Sequence, residues 1–102
     1  MSRRYFQIKT ISEQPITIEQ FQTLLQNSVL RLFGEFGLAQ ISPRVLSLDV
    51  DKCEATVRCN RDRAEDLQAA LGLISDNFGH PFTALTLHVS GTIKGLKRKQ
   101  GF

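Results

Sequence analysis

The spacing of apolar residues switches repeatedly between period two and period three to four, and the order of the switches leaves few folds open. Arg4 to Ile11 alternates as a strand does, with Phe6 and Ile8 on one face and Tyr5, Gln7 and Lys9 on the other. Ser12-Glu13-Gln14-Pro15 breaks it. Thr17 then opens a helix, with Gln20 three residues on as its capping-box partner. Ile18, Phe21, Leu25, Val29 and Leu32 follow at helical spacing, flanked by Leu24 and Phe33, and Gly34 or Gly37 is expected to end the run in a left-handed conformation. Pro43 to Leu48 predicts a second strand, Asp49-Val50-Asp51-Lys52 a hairpin turn, and Cys53 to Cys59 a third strand. Cys53, Ala55, Val57 and Cys59 share one face of it, Glu54, Thr56 and Arg58 the other. Asn60 is the expected N-cap of a second helix that carries Ala64, Leu67, Leu71 and Ile74 inward. Asp62, Glu65 and Asp66 suit the positive N-terminal end of that helix. After a turn at Asn77-Phe78-Gly79-His80-Pro81, Phe82 to Val89 predicts the last strand.

The order βαββαβ, closed by two right-handed split crossovers, predicts an α+β fold. It is the ferredoxin-like or RRM-like sandwich: a four-stranded antiparallel sheet with both helices on one face. Residues 1–90 form this body, and residues 91–102 a basic C-terminal extension, a short helix or a tail. A chain of 102 residues suffices for one domain with a modest core. No apolar stretch approaches the roughly 20 residues of a membrane span. The N-terminal segment alternates where a signal peptide would be continuously apolar, so the protein is expected inside the cell. Cys53 and Cys59 lie on one strand, about 20 Å apart at roughly 3.3 Å per residue, which excludes a bridge between them. Buried, reduced thiols are the expectation for both.

The extension holds the charge. Up to Ser90, nine Lys/Arg face ten Asp/Glu, and Lys94, Lys97, Arg98 and Lys99 turn that deficit into the net charge of +3. A near-neutral body with a basic end points to a polyanionic partner, because clustered cations release counterions from phosphates. On a helix Lys94, Lys97 and Arg98 make one cationic stripe with Lys99 beside it, and Ile93 and Leu96 can lie against the body. Ser90, Gly91 and Thr92 offer hydroxyls, amides and close backbone approach to a phosphate. In the predicted topology the first and last strands are antiparallel neighbours, which brings Arg3 and Arg4 towards this segment. A solvated tail is the alternative for the stripe, and a frayed terminus for the two arginines.

Other features exclude functions. The third strand holds no aromatic residue, so the stacking platform of a sequence-reading RRM is missing. His80 and His88 have no nucleophile or carboxylate partner visible in the sequence. Asp49-x-Asp51 lacks the glycine and closing glutamate of a calcium loop, leaving a plain hairpin turn and no metal ligands. Phe33-Gly34-Glu35-Phe36-Gly37 reads as core packing and helix termination, with Phe33 and Phe36 as partner-interface anchors in the alternative.

Several words of the chain also resemble a known family. Val89-Ser90-Gly91-Thr92-Ile93-Lys94 and Leu96-Lys97-Arg98-Lys99, together with Phe33-Gly34-Glu35-Phe36-Gly37, Val57-Arg58-Cys59-Asn60-Arg61 and Ala69-Ala70-Leu71-Gly72-Leu73-Ile74, are similar to the ribonuclease P protein component 2 family of archaea and eukaryotes. The resemblance is scattered from about Arg4 to Lys99. It implies a non-catalytic subunit of the ribonucleoprotein that removes the 5′ leader from precursor tRNA, with cleavage carried out by the RNA. It implies no cofactor on the protein, Mg2+ being used by the RNA component. The implied partners are ribonuclease P RNA, the TIM-barrel-like protein component 3, other ribonuclease P proteins, and precursor tRNA as the holoenzyme's substrate, with homodimerisation inside a heterotetramer as a further expectation and no membrane. The RNA-binding residues would be Arg4, Ser90, Gly91, Thr92, Lys94, Lys97, Arg98 and Lys99. Eukaryotic members usually continue past the basic segment, so a chain ending at Phe102 suggests an archaeal, cytoplasmic member rather than a nuclear or nucleolar one. The competing expectation is a stand-alone ferredoxin-like interaction or small-molecule sensor module whose basic tail is merely solvated.

Overall fold

The computed structural model describes residues 2–100, with side chains described as far as Lys97. The elements are β1 (Arg3–Ser12), α1 (Ile18–Ile41), β2 (Arg44–Asp49), β3 (Glu54–Asn60), α2 (Ala64–Leu73), β4 (Asp76–Asn77), β5 (His80–Ser90) and α3 (Ile93–Gln100). All sheet pairings are antiparallel and the strand order is β2-β3-β1-β5-β4. The four long strands thus stand in the order that two split crossovers require. The sheet nevertheless has five strands, not the four expected. Phe78 and Gly79 both take positive φ, at 51° and 95°, which makes the tight hairpin turn favoured by sheet twist. Asp76 Oδ2 accepts from the Gly79 amide at 2.9 Å. This turn lets two extra residues pair with the start of β5, which therefore begins at His80 instead of Phe82.

One face of the sheet carries the core. Phe6 and Ile8 of β1 and Ala55, Val57 and Cys59 of β3 pack against Phe21, Leu25 and Val29 of α1 and Leu67 and Leu71 of α2. The Phe21 and Phe82 rings tilt against each other at a centroid distance of 5.8 Å. Ile18 and Leu32, at the margins of the α1 stripe, stay 38% and 39% exposed. The expected capping box is present: Thr17 Oγ1 accepts from the Gln20 amide at 3.1 Å, and Gln20 Oε1 from the Thr17 amide at 3.0 Å.

Three local expectations need correction. Gly34 does interrupt α1, with φ 71° and ψ −176°, a conformation open essentially to glycine alone. The helix then resumes and runs to Ile41, where Ser42 takes the left-handed cap and donates its N–H to the Leu38 carbonyl at 2.9 Å. Cys53 is not an inward strand residue: it lies exposed in the hairpin turn at φ 54°, and β3 starts one residue later. Asn60 does not cap α2. It closes β3 opposite Arg3, its Nδ2 donates to the Gln40 carbonyl at 2.7 Å, and a 3-10 turn over Arg61–Arg63 comes before the helix.

Two bulges shape the sheet. Gln7 pairs with His88 but Ile8 with Thr86, so Leu87 is an extra residue in β5. Val45 pairs with Val57 but Ser47 with Thr56, so Leu46 is an extra residue in β2. Each adds local twist and shifts which residues face which side.

Candidate nucleic-acid interface

The basic extension is a helix with a built start. Thr92 Oγ1 accepts from the Gly95 amide at 2.9 Å, which makes Thr92 the N-cap of α3, and Ser90 Oγ accepts from the Thr92 amide at 3.3 Å. Both hydroxyl oxygens are therefore engaged in holding the helix, leaving their protons as the groups that a phosphate could accept. Leu96 is 2% exposed and lies outside the cluster that joins α1 and α2 to the sheet. The helix packs on β5 and β1. Ile93, expected to share this anchoring, is 43% exposed, so Leu96 is the apolar peg. Lys94 and Lys97 are exposed, three residues apart on the helix. The side chains of Arg98 and Lys99 lie outside the described residues.

Arg4 reaches this segment as expected. Tyr5 pairs with Ser90, and a Cβ added at Gly91 would stand 2.9 Å from Arg4 Nη1. The same cations act on Cys59, whose thiol is pushed up from 9.0 to about 11 by burial while Arg4 and then Arg3 pull against the shift. Gly95, which the sequence reading passed over, is equally constrained, because a Cβ there would run into Ser90 Oγ.

On the sheet face away from α1 and α2, the registers align residues in rows across four strands. The row nearest α3 is Arg44, Arg58, Tyr5, Ser90. The middle row is Ser47, Thr56, Gln7, His88, and the far row Asp49, Glu54, Lys9, Leu85. Charge thus runs from basic to acidic along the strands. Gln7, 4% exposed, donates through Nε2 to Glu54 Oε1 at 2.6 Å. At the basic end, Arg4 also shares a surface depression with Arg61, Arg63, Asp62, Glu65 and Asp66. Arg63 is committed there: it pairs with Asp66, donates to Gln40 Oε1, and sits 5.6 Å from the centre of the Phe33 ring. Phe33 is accordingly half-buried against the core, whereas Phe36, beyond the Gly34 break, is 77% exposed. The sequence reading missed Arg44 and Arg58, since only the strand register brings together residues 14 positions apart with Tyr5.

Among the described residues no group of three or more His, Cys, Asp and Glu could hold a metal ion, and no helix is long and apolar enough to cross a membrane. The arrangement offers cations and donors at one end of a sheet, which is equipment for binding an anion.

Known proteins share this fold and sequence. A chain in a cryo-electron-microscopy structure of yeast ribonuclease MRP has the same fold, with a TM-score of 0.72 at 18% identity over 97% of this chain and 91% of its own. Ribonuclease P protein component 2 of Pyrococcus furiosus is 36% identical over 97 residues, covering 95% of this chain and 81% of the relative. The protein of the same name from Pyrococcus horikoshii is 38% identical over 96 residues, covering 94% and 80%. The model of the Rpp14/Pop5 family matches residues 4–100, and with kinship of this extent the chain belongs to the Rpp14/Pop5 family.

Proposed function

We propose that this chain is a non-catalytic protein subunit of ribonuclease P, the ribonucleoprotein that removes 5′ leaders from precursor tRNA. The observation that carries the reading is kinship over 95% of the chain with a protein named ribonuclease P protein component 2. The chemistry of the basic end supports it. Lys94 and Lys97 on α3, with Arg98 and Lys99 following in sequence, neutralise RNA phosphates, while Leu96 fixes the direction of the helix. Arg4 adds a cation beside Gly91. The Ser90 and Thr92 hydroxyls order the approach. Relief of phosphate repulsion lets the RNA fold at lower magnesium, and the metal ions that drive cleavage are held by the RNA and not by this protein. The body docks other protein subunits, the TIM-barrel-like component 3 foremost, with exposed Phe36 as an anchor. Pairing of two copies inside a larger assembly and a cytoplasmic location in an archaeal cell belong to the same reading.

The test is isolation of the protein with its native companions, followed by assay for 5′ cleavage of precursor tRNA with and without ribonuclease pretreatment. Activity that disappears on RNA digestion is the expected result. An intact preparation without RNA and without activity would favour a stand-alone interaction or sensor module.

A further inference from the structure

We infer that the RNA-contacting surface does not end with α3 but continues across the sheet as a strip formed by Arg44, Arg58 and Tyr5, which takes a second stretch of RNA backbone with a base against the tyrosine ring. The inference rests on the ribonucleoprotein reading above and extends it to a face that the sequence alone gave no reason to select.

Arg44 and Arg58 stand directly opposite each other in the β2–β3 ladder. Like charges in such a pair are destabilising, so the arrangement calls for a counter-charge. The protein supplies none: among the described residues the one ion pair is Arg63–Asp66. Arg58 Nε is buried without a hydrogen-bond partner, so part of the guanidinium has already lost its water. A partly desolvated guanidinium binds a phosphate more strongly than a hydrated one, and its planar fork can hold two phosphate oxygens. Tyr5, half-buried, is the next residue in the row and Ser90 the last, at the point where the chain enters α3. The strip therefore ends where the helix that carries exposed Lys94 and Lys97 begins. A polyanion lying along it would be stopped by the far row, where Asp49 and Glu54 are adjacent. Tyr5 distinguishes the occupant: an aromatic ring between arginines and a hydroxyl suits a nucleotide, whose base can stack, better than an acidic protein segment, which has no flat face to offer.

Binding of the full-length chain to transcribed ribonuclease P RNA from Pyrococcus furiosus, followed across a salt titration, tests this. The R44Q/R58Q double variant is expected to lower the salt slope by about 1.4–1.8, at about 0.7–0.9 per phosphate contact, and to weaken binding at least about tenfold near 0.1 M salt. Combined with K94Q/K97Q, the two losses should add. Arg44→Glu serves as the folding control, since it places a carboxylate opposite Arg58: its melting temperature should match or exceed that of the parent while RNA affinity falls. A slope lowered by K94Q/K97Q but untouched by R44Q/R58Q would overturn the strip and leave the ribonucleoprotein reading intact. Failure of the parent chain to bind this RNA, together with no precursor-tRNA cleavage by the native complex, would remove both. Competition by polyglutamate as effective as by RNA would overturn the nucleotide assignment in favour of an acidic protein partner.

Discussion

The two ends of the sheet are made from the same strands yet carry opposite charge. Around the end that meets α3 stand Arg3, Arg4, Arg44, Arg58, Arg61 and Arg63 of the body, joined by Lys94 and Lys97. The three acidic residues nearby, Asp62, Glu65 and Asp66, sit at the start of α2, where the helix dipole favours them and Asp66 holds Arg63. Around the other end stand Glu13, Asp49, Asp51, Glu54 and Asp76 against Lys9 and Lys52. There the β2–β3 turn holds several of the charged groups: Asp49 Oδ1 accepts from the amides of Asp51 and Lys52 at 3.1 and 3.2 Å, and Lys9 Nζ donates to the Lys52 carbonyl at 2.7 Å. The turn at the acidic end ties Asp49 and Lys9 to its own backbone, while the basic end holds an opposed arginine pair without a carboxylate. A body that is near neutral by count thus separates its charge, and a separation of this kind would orient a polyanion before any contact formed.

The comparison breaks most sharply on the salt dependence of RNA binding. Replacing Lys94, Lys97, Arg98 and Lys99 by glutamine should lower the slope by roughly 3. Replacing Asp49, Asp51 and Glu54 by their amides should leave it unchanged, and an equal effect from the two sets would dissolve the distinction between the ends. Next in size is Leu96→Ala, which removes the apolar peg of α3 and should cost about 2–4 kcal/mol of its docking. Hydrogen exchange checks this: amides of α3 should lose protection while those of β1 and β3 keep theirs. Gly95→Ala should cost about 1–3 kcal/mol by overpacking against Ser90. Adding Ser90→Ala should restore part of that loss, and thermal melting of the single and double variants reads the cycle.

The smallest effect concerns the two thiols, one at each end. Exposed Cys53 should be alkylated by iodoacetamide in the folded protein, and buried Cys59 only on unfolding. Below pH 9 the Cys59 thiol is protonated in both folded and unfolded chains, and its contribution to stability is intact. Between 9.0 and about 11 the unfolded chain gives up a proton that the folded chain keeps. Stability should therefore fall as the pH rises through that window and then level off. Urea unfolding of the parent and of Cys59→Ala over this range isolates the difference, which vanishes if burial does not govern the thiol.

Much of the architecture was legible because the apolar period is a direct record of burial. Phe6, Ile8, Val57, Phe21, Leu25, Leu67 and Leu71 are core in the structure as their spacing demands. What escaped was set by single backbone residues: Gly34, which breaks α1 without ending it, and Cys53, whose positive φ removes it from an alternation that it continues by sequence position. The extension was legible as a short helix or a tail with Ile93 and Leu96 against the body, and it is a helix in which Leu96 is buried and Ile93 exposed. The row Arg44–Arg58–Tyr5 was not, because cross-strand neighbours depend on register, and register here passes through two bulges that leave no mark in composition.

One of those bulges decides which side of the sheet the end of β5 presents. In a regular strand, residues an even number apart share a side, so Ser90 would face the same way as Phe82 and Ala84, into the layer already filled by α1 and α2. The extra Leu87 reverses the parity: Val89 pairs with Phe6 of the core, while Ser90 pairs with Tyr5 on the outer side. The last residue of β5 before α3 is therefore placed beside the arginine row. A strand with Leu87 deleted would aim the same basic helix at the crowded face, with its cations separated from Arg44 and Arg58 by the thickness of the sheet. A count of one residue, odd or even, sets which side of the sheet Ser90 presents at the entry to the basic helix.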